Sequence, residues 1–80
     1  MTDIKYFRRC ESVATELLTF IRDLRPVSSE YDQYNEILID LYRGKTSSYI
    51  RQLMLIAEDT DDATIKSSAL KLVSCIEALL

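Results

Sequence analysis

Apolar residues recur along this chain at alternating spacings of three and four, which is the period of a helix buried on one face. The pattern occurs in four separate segments, whereas the alternation typical of a half-buried strand is absent. It predicts four helices, over residues about 3–25, 29–43, 47–58 and 61–79. We therefore expect an all-α fold: a small antiparallel bundle of four helices, one domain over residues 1–80, dimeric in solution.

The longest predicted helix runs from Asp3 to Arg25 without glycine or proline. Its apolar stripe consists of Phe7, Cys10, Ala14, Leu17, Ile21 and Leu24. Neighbouring apolar residues widen the stripe to roughly 160°, so several other helices must cover it. Thr2 or Asp3 is expected to cap the helix, and Pro26 to end it.

The second predicted helix begins with a serine cap and the acids Glu30 and Asp32, which suit the positive end of a helix dipole. Gly44 follows it, where a left-handed residue is favoured. Thr46 or Ser47 is expected to cap the third helix, which makes the second and third a tight hairpin. The predicted buried residues of these two helices are Tyr31, Tyr34, Leu38 and Leu41, then Tyr49, Ile50, Leu53, Met54, Ile56 and Ala57.

The fourth predicted helix starts after an acidic break, with Thr60 or Asp61 as its cap. Its apolar residues cover well over half of its circumference. The chain ends on Leu79 and Leu80, which suggests that both dock against the core or another chain.

Some apolar residues lie off the stripes that the four helices can bury against each other. Exposed apolar patches on a small protein indicate contact with a partner, and tyrosines are enriched at such contacts. We therefore predict a protein interface formed by Phe20, Ile39, Tyr42, Leu55, Leu70 and Leu80.

Composition and charge restrict the functional classes. The net charge of −3, from ten basic and thirteen acidic residues, argues against a nucleic-acid backbone as the main partner. Without any histidine the chain lacks the commonest general acid or base, so we expect neither catalysis nor a small-molecule substrate. No apolar run is long enough to span a membrane and no signal-peptide block is present, which favours the cytoplasm.

The two cysteines, Cys10 and Cys75, cannot provide the four ligands of a structural zinc site. We interpret them as buried free thiols, with a bridge between them left open. No metal and no cofactor is expected.

Four acids, Glu58, Asp59, Asp61 and Asp62, occupy five consecutive positions. A calcium loop of the EF-hand type is excluded, because glycine is required at its sixth position and glutamate at its twelfth. Asp61 and Asp62 suit the start of a helix, but Glu58 and Asp59 lie at the unfavourable negative end of the preceding one. The pattern leaves room for a basic partner.

The predicted helix, Gly44 turn and following helix are similar in outline to a helix-turn-helix, with Lys45 and Arg51 as candidate phosphate contacts. Such a motif needs a small residue four positions before the turn glycine, whereas Asp40 stands there. DNA binding is therefore a less favoured hypothesis.

From about Tyr34 onward the chain resembles the small bacterial YmgB/AriR-like proteins, which are connectors in biofilm and acid-stress regulation. The likeness lies in the order of an apolar helix ending LYRGK, a helix containing IRQLMLIAE, an acidic break at DTDD and a final amphipathic helix. The first helix, Asp3 to Arg25, departs from that pattern. The resemblance implies an all-helical homodimer that acts by binding regulatory proteins without a cofactor.

Two other families share this outline. The segment EYDQYNEILIDLY is similar to an internal helix of the bacteriocin immunity proteins, and small acidic helical proteins are also frequent among phage-encoded inhibitors. Either resemblance implies a protein that binds and blocks one specific target.

Overall fold

Four α-helices are present in the computed structural model, which describes residues 3–80. They are α1 (Ile4–Leu24), α2 (Glu30–Tyr42), α3 (Ser47–Asp59) and α4 (Ala63–Glu77). The described part of the chain contains no strand. The predicted all-α bundle is thus confirmed, with helix ends within about two residues of those expected from the periodicity.

The starts of α1 and α2 follow the predicted capping. The Asp3 carboxylate accepts a hydrogen bond from the backbone N–H of Tyr6 at 3.1 Å, and the Ser29 hydroxyl accepts one from Asp32 at 3.3 Å. These bonds satisfy amides that have no partner within their helices. Thr2, the alternative cap for α1, lies outside the described residues.

The cap of α3 agrees with the prediction in position only, and the cap of α4 differs from it. Thr46 stands at the N-cap of α3, but its side chain makes no capping bond. At α4 the cap is Asp62, which accepts from Thr64 at 2.8 Å and Ile65 at 3.2 Å, so the expected Thr60 or Asp61 was wrong. The Thr60 hydroxyl instead accepts from the Asp62 N–H, within the turn that precedes the helix.

The end of α2 is built around Gly44, whose φ of +76° is in the left-handed region. The Lys45 N–H donates to the Asp40 carbonyl at 2.8 Å, and the Gly44 N–H donates to that of Leu41 at 3.1 Å. This is the Schellman arrangement, which a side chain at Gly44 would strain.

Contacts between helices follow the order α2, α1, α4, α3. The predicted tight hairpin of α2 and α3 was wrong, since the two do not pack along their lengths. The reason is that α2 buries Ile37, Leu38 and Leu41 against α1, while α3 buries its apolar face against α4. The bundle is therefore open between α2 and α3.

One core joins the four helices. Its largest fully buried side chains are Leu17, Ile37, Leu41, Ile76 and Cys10. The molecule is elongated and thin, with extents of 44 × 27 × 17 Å along its principal axes. Such a thin molecule leaves part of its apolar surface uncovered.

Candidate functional site

Five of the six predicted interface residues are exposed. The exposed fractions are 49% for Ile39, 38% for Tyr42, 51% for Leu55, 42% for Leu70 and 76% for Leu80. Their role in an interface stays a prediction.

The sixth, Phe20, was expected to be exposed, and that was wrong. Only 8% of its surface is accessible, because α4 packs against α1 and brings Leu72 beside the ring. Phe20 belongs to the core.

An apolar hollow opens where the end of α1 meets the end of α3 and the start of α4. Its volume is about 360 Å³. The lining residues are Leu24, Leu55, Ile56, Asp59, Thr60 and Ile65. Leu24 and Leu55 are each about half exposed, so the described chain leaves their apolar surface available for contact.

Leu24 is the member of this hollow that the sequence did not reveal. Its position on the apolar stripe of α1 predicted burial, but it is the last helical residue, at an end of the bundle. The periodicity of α1 contains no information about where neighbouring helices end. Only the folded structure shows that the end of α1 meets the end of α3 and the start of α4.

The four acids predicted to attract a basic partner are all exposed at this same end. Asp59 lines the hollow, Glu58 lies one helical turn from Leu55, and Asp61 and Asp62 follow Thr60. We call Glu58, Asp59, Asp61 and Asp62 the acidic rim. Residues 52–65 contain these four acids and no basic residue, whereas the whole chain has a net charge of only −3.

No basic side chain of the described residues neutralises the acidic rim. The one ion pair within residues 3–80 joins Arg22 to Glu30 at 3.2 Å, on other helices. Asp62 is engaged in capping α4, but Glu58 and Asp59 lie in the last turn of α3, beside the negative end of its dipole. A cation bound there would relieve an unfavourable arrangement.

The opposite end of the molecule carries an aromatic cluster of Tyr6, Phe7 and Tyr42. The Tyr42 ring centroid lies 5.7 Å from that of Tyr6 and 5.6 Å from that of Phe7. The Tyr6 hydroxyl donates to the Leu41 carbonyl at 3.3 Å, which fixes the end of α2 against the start of α1. Burial raises the pKa of Tyr6. Ile39 lies one turn before Tyr42 and extends this apolar surface.

The end of α4 reaches the same region. The Arg9 guanidinium donates to the carbonyl of Ala78 and so places a cation at the negative end of α4. Leu79 is buried, whereas the final residue, Leu80, is 76% exposed. We call Tyr6, Phe7, Ile39, Tyr42 and Leu80 the aromatic end. Near it in the chain lie the cations Lys5, Arg8, Arg9, Arg43 and Lys45 and the acids Asp3, Glu11, Asp40 and Glu77, so the charges of this end are mixed, unlike those of the acidic rim.

Tyr49 and Asp40 form a hydrogen bond between α3 and α2. The Tyr49 hydroxyl donates to the Asp40 carboxylate at 2.6 Å. Burial, together with this bond, raises the pKa of Tyr49, so the phenol stays protonated near neutral pH. A neutral phenol held by a carboxylate joins two helices that otherwise make little contact, which is a structural role.

The residues proposed for DNA contact do not form a basic surface. Lys45 shares an open polar cleft of about 490 Å³ with Glu36 and Asp40, whose carboxylates offset its charge. Arg51 is exposed on α3, but α2 and α3 do not pack together as the two helices of a helix-turn-helix do. The geometry adds no support to DNA binding.

Both cysteines are unpaired thiols. Cys10 is fully buried, and burial raises its pKa; Cys75 is partly buried. Within residues 3–80 no group of three or more potential ligands is placed to hold a metal ion. None of the helices described has an apolar stretch of membrane-spanning length.

The fold places this chain in the broad class of small all-α bundles. Comparisons with protein-family models, with curated proteins and with solved structures found no match. The resemblance to the YmgB/AriR-like proteins thus gains no support and meets no contradiction. The features that bear on function are the two ends of the molecule.

Proposed function

We propose that this protein is a non-enzymatic interaction module that forms a homodimer and binds a second protein. The observation that carries the proposal is the placement of exposed apolar side chains at both ends of the bundle. The 21 residues of α1 separate those ends by about 30 Å at 1.5 Å per residue. Two surfaces so far apart can contact two molecules at once.

A catalytic role has less support. The strongest candidate for acid–base chemistry, the Tyr49–Asp40 pair, has its phenol held in the protonated form and its carboxylate engaged by that phenol. The chain has no histidine to activate a serine or cysteine nucleophile.

The aromatic end is the surface proposed for self-association. Tyr42, Ile39 and Leu80 offer exposed apolar area, and homodimers commonly pair identical surfaces about a two-fold axis.

Sedimentation equilibrium at tens of micromolar protein tests this assignment. We expect Ile39→Ser and Leu80→Ser to weaken the dimer, and Leu55→Ser, at the other end, to leave it unchanged. A parent protein that stays monomeric at both low and high salt would contradict the homodimer.

The second protein is proposed to be a regulator. The resemblance of residues 34–80 to the YmgB/AriR-like proteins supports regulatory partners in bacterial biofilm or stress responses, within the cytoplasm. Co-purification from a bacterial host under crosslinking, with partners identified by mass spectrometry, tests the pathway.

A second candidate is an immunity or inhibitor protein that blocks one target. The unneutralised acidic rim favours it, because a basic target surface is complementary to such a rim. Recovery of a single toxin, nuclease or polymerase in the same co-purification would favour this candidate over the regulator.

A further inference from the structure

We propose that the apolar hollow and the acidic rim together bind a basic amphipathic helix of a partner protein. This inference rests on the proposed function and specifies the chemistry of the second protein. The juxtaposition of half-exposed leucines with unneutralised carboxylates is the basis for it. Neither feature alone would define a site.

The hollow provides an apolar contact of suitable size. Leu24, Leu55 and Ile65 come from three different helices and line one shallow, open depression between them. The volume of about 360 Å³ accommodates a few apolar side chains. An amphipathic helix presents such anchors one turn apart, at positions i, i+3 or i+4, and i+7.

The charges around the hollow favour a partner helix that has basic residues beside its apolar anchors. Asp59 contributes to the lining, and Glu58 lies on the same face of α3 as Leu55. Lysine or arginine residues beside the apolar anchors would meet these carboxylates and the negative end of the α3 dipole together. An acidic helix would be repelled by these carboxylates, and a neutral helix would gain no electrostatic attraction.

A second copy of this chain fits the hollow less well. The basic segment of α1 exposes the apolar side chain of Ile4, but Phe7 and Cys10 are packed in their own bundle. It therefore offers one anchor where a helix in a groove uses two or three. A head-to-tail contact of this kind would also produce rings or open chains of molecules, and not a two-fold dimer.

The test is fluorescence anisotropy with two designed peptides. Each is an amphipathic helix of about 18 residues, because shorter isolated helices are marginal in water. Both carry the same leucine face, and one has lysine where the other has glutamate. We expect the lysine peptide to bind the intact protein and the glutamate peptide to bind at least ~10-fold more weakly, with the difference shrinking at high salt.

Matched variants show whether binding occurs at the hollow. Leu55→Ser should weaken the lysine peptide at least ~10-fold, as expected for a central apolar contact, whereas Met54→Ser should not. Met54 is the adjacent residue, similarly exposed, and does not line the hollow. Both substitutions are at exposed positions, and circular dichroism verifies that both variants fold.

A charge control separates the acidic rim from net charge. The double variant Glu58→Gln, Asp59→Asn should bind the lysine peptide more weakly than Glu16→Gln, Glu36→Gln, which removes the same charge elsewhere. Equal effects of the two double variants, or of Leu55→Ser and Met54→Ser, would overturn the proposal.

Sedimentation on the same samples separates this inference from the proposed function. If the protein is a dimer but Leu55→Ser and Met54→Ser affect peptide binding equally, the docking site at the hollow is contradicted and the homodimer is not. If the protein is a monomer and Leu55→Ser weakens its binding to the lysine peptide, the homodimer is contradicted and the docking site is not. Self-association abolished by Leu55→Ser would identify a second copy as the occupant and overturn the partner helix.

Discussion

Replacing Tyr49 by phenylalanine removes the hydroxyl that joins α3 to α2 and keeps the ring in place. The lost bond, 2.6 Å long to the Asp40 carboxylate, is of the charge-assisted kind. Hydrogen bonds to charged groups contribute about 1.5–3 kcal/mol, and the partial exposure of this pair places it near 1.5. In a domain of this size that loss lowers the melting temperature by roughly 6–12 °C.

The dependence of this loss on pH distinguishes the hydrogen bond from a general packing defect. Burial and the bond to Asp40 raise the pKa of Tyr49 in the folded protein, whereas an unfolded tyrosine loses its proton near pH 10. The stabilisation is therefore fully present below about pH 10 and decreases above it, by at most about 1.4 kcal/mol per pH unit. The gap between the parent and Tyr49→Phe should nearly close by about pH 11.

Urea unfolding followed by circular dichroism at pH 7, 9, 10 and 11 measures this gap. Tyr6, whose pKa is also raised by burial, is present in both proteins and cancels in the comparison. Tyr31→Phe is the matched control, since 77% of Tyr31 is exposed. A Tyr49→Phe protein as stable as the parent at pH 7, or a gap that stays constant up to pH 11, would refute the reasoning.

Three further variants test the packing and the charges. Arg9→Met should cost about 0.5–1 kcal/mol by removing a cation from the end of α4, with Arg8→Met as the neutral control in urea unfolding. Leu17→Ala, deep in the core, should cost about 2–5 kcal/mol in the same assay, and a loss below about 1 would contradict its burial. Glu58→Gln with Asp59→Asn should raise the melting temperature, because each acid at the end of α3 costs about 0.3–1 kcal/mol; a decrease would show that these acids have stabilising partners.

The helices were predictable because each is specified by local sequence. A three-and-four apolar period, Pro26 after α1, the Ser29 cap and Gly44 after α2 all act within a few residues, and the structure contains each of them. The cap of α4 is Asp62 and not the predicted Thr60 or Asp61, because several neighbouring side chains carry an oxygen that can cap a helix. The helical period does not show which of them makes the capping bond.

Burial was less predictable, because it depends on which helices meet. Phe20 is covered by α4, which lies about fifty residues later in the chain. Met54, predicted to be buried on α3, is 42% exposed, and Tyr31 is exposed at the start of α2. A helical period identifies the apolar face, but the order α2, α1, α4, α3 decides how much of that face is covered.

The candidate site was predictable only in its parts. Leu55 and the four acids were identified from sequence, as an off-stripe leucine and a charge cluster at a helix end. Leu55 and Asp59 lie in one hollow with Leu24 and Ile65 because the ends of α1, α3 and α4 meet there. The sequence alone does not show that these ends meet. The combination, and not either part, is what specifies a basic amphipathic partner.

The central claim is that the surface around Leu55 is a docking site for another protein. Methyl-labelled protein mixed with the unlabelled lysine peptide allows nuclear Overhauser effects between the two molecules to be measured. We predict such effects from the peptide leucines to the methyl groups of Leu24, Leu55 and Ile65. Effects confined to methyl groups elsewhere on the bundle, or none with the peptide in excess, would contradict the claim.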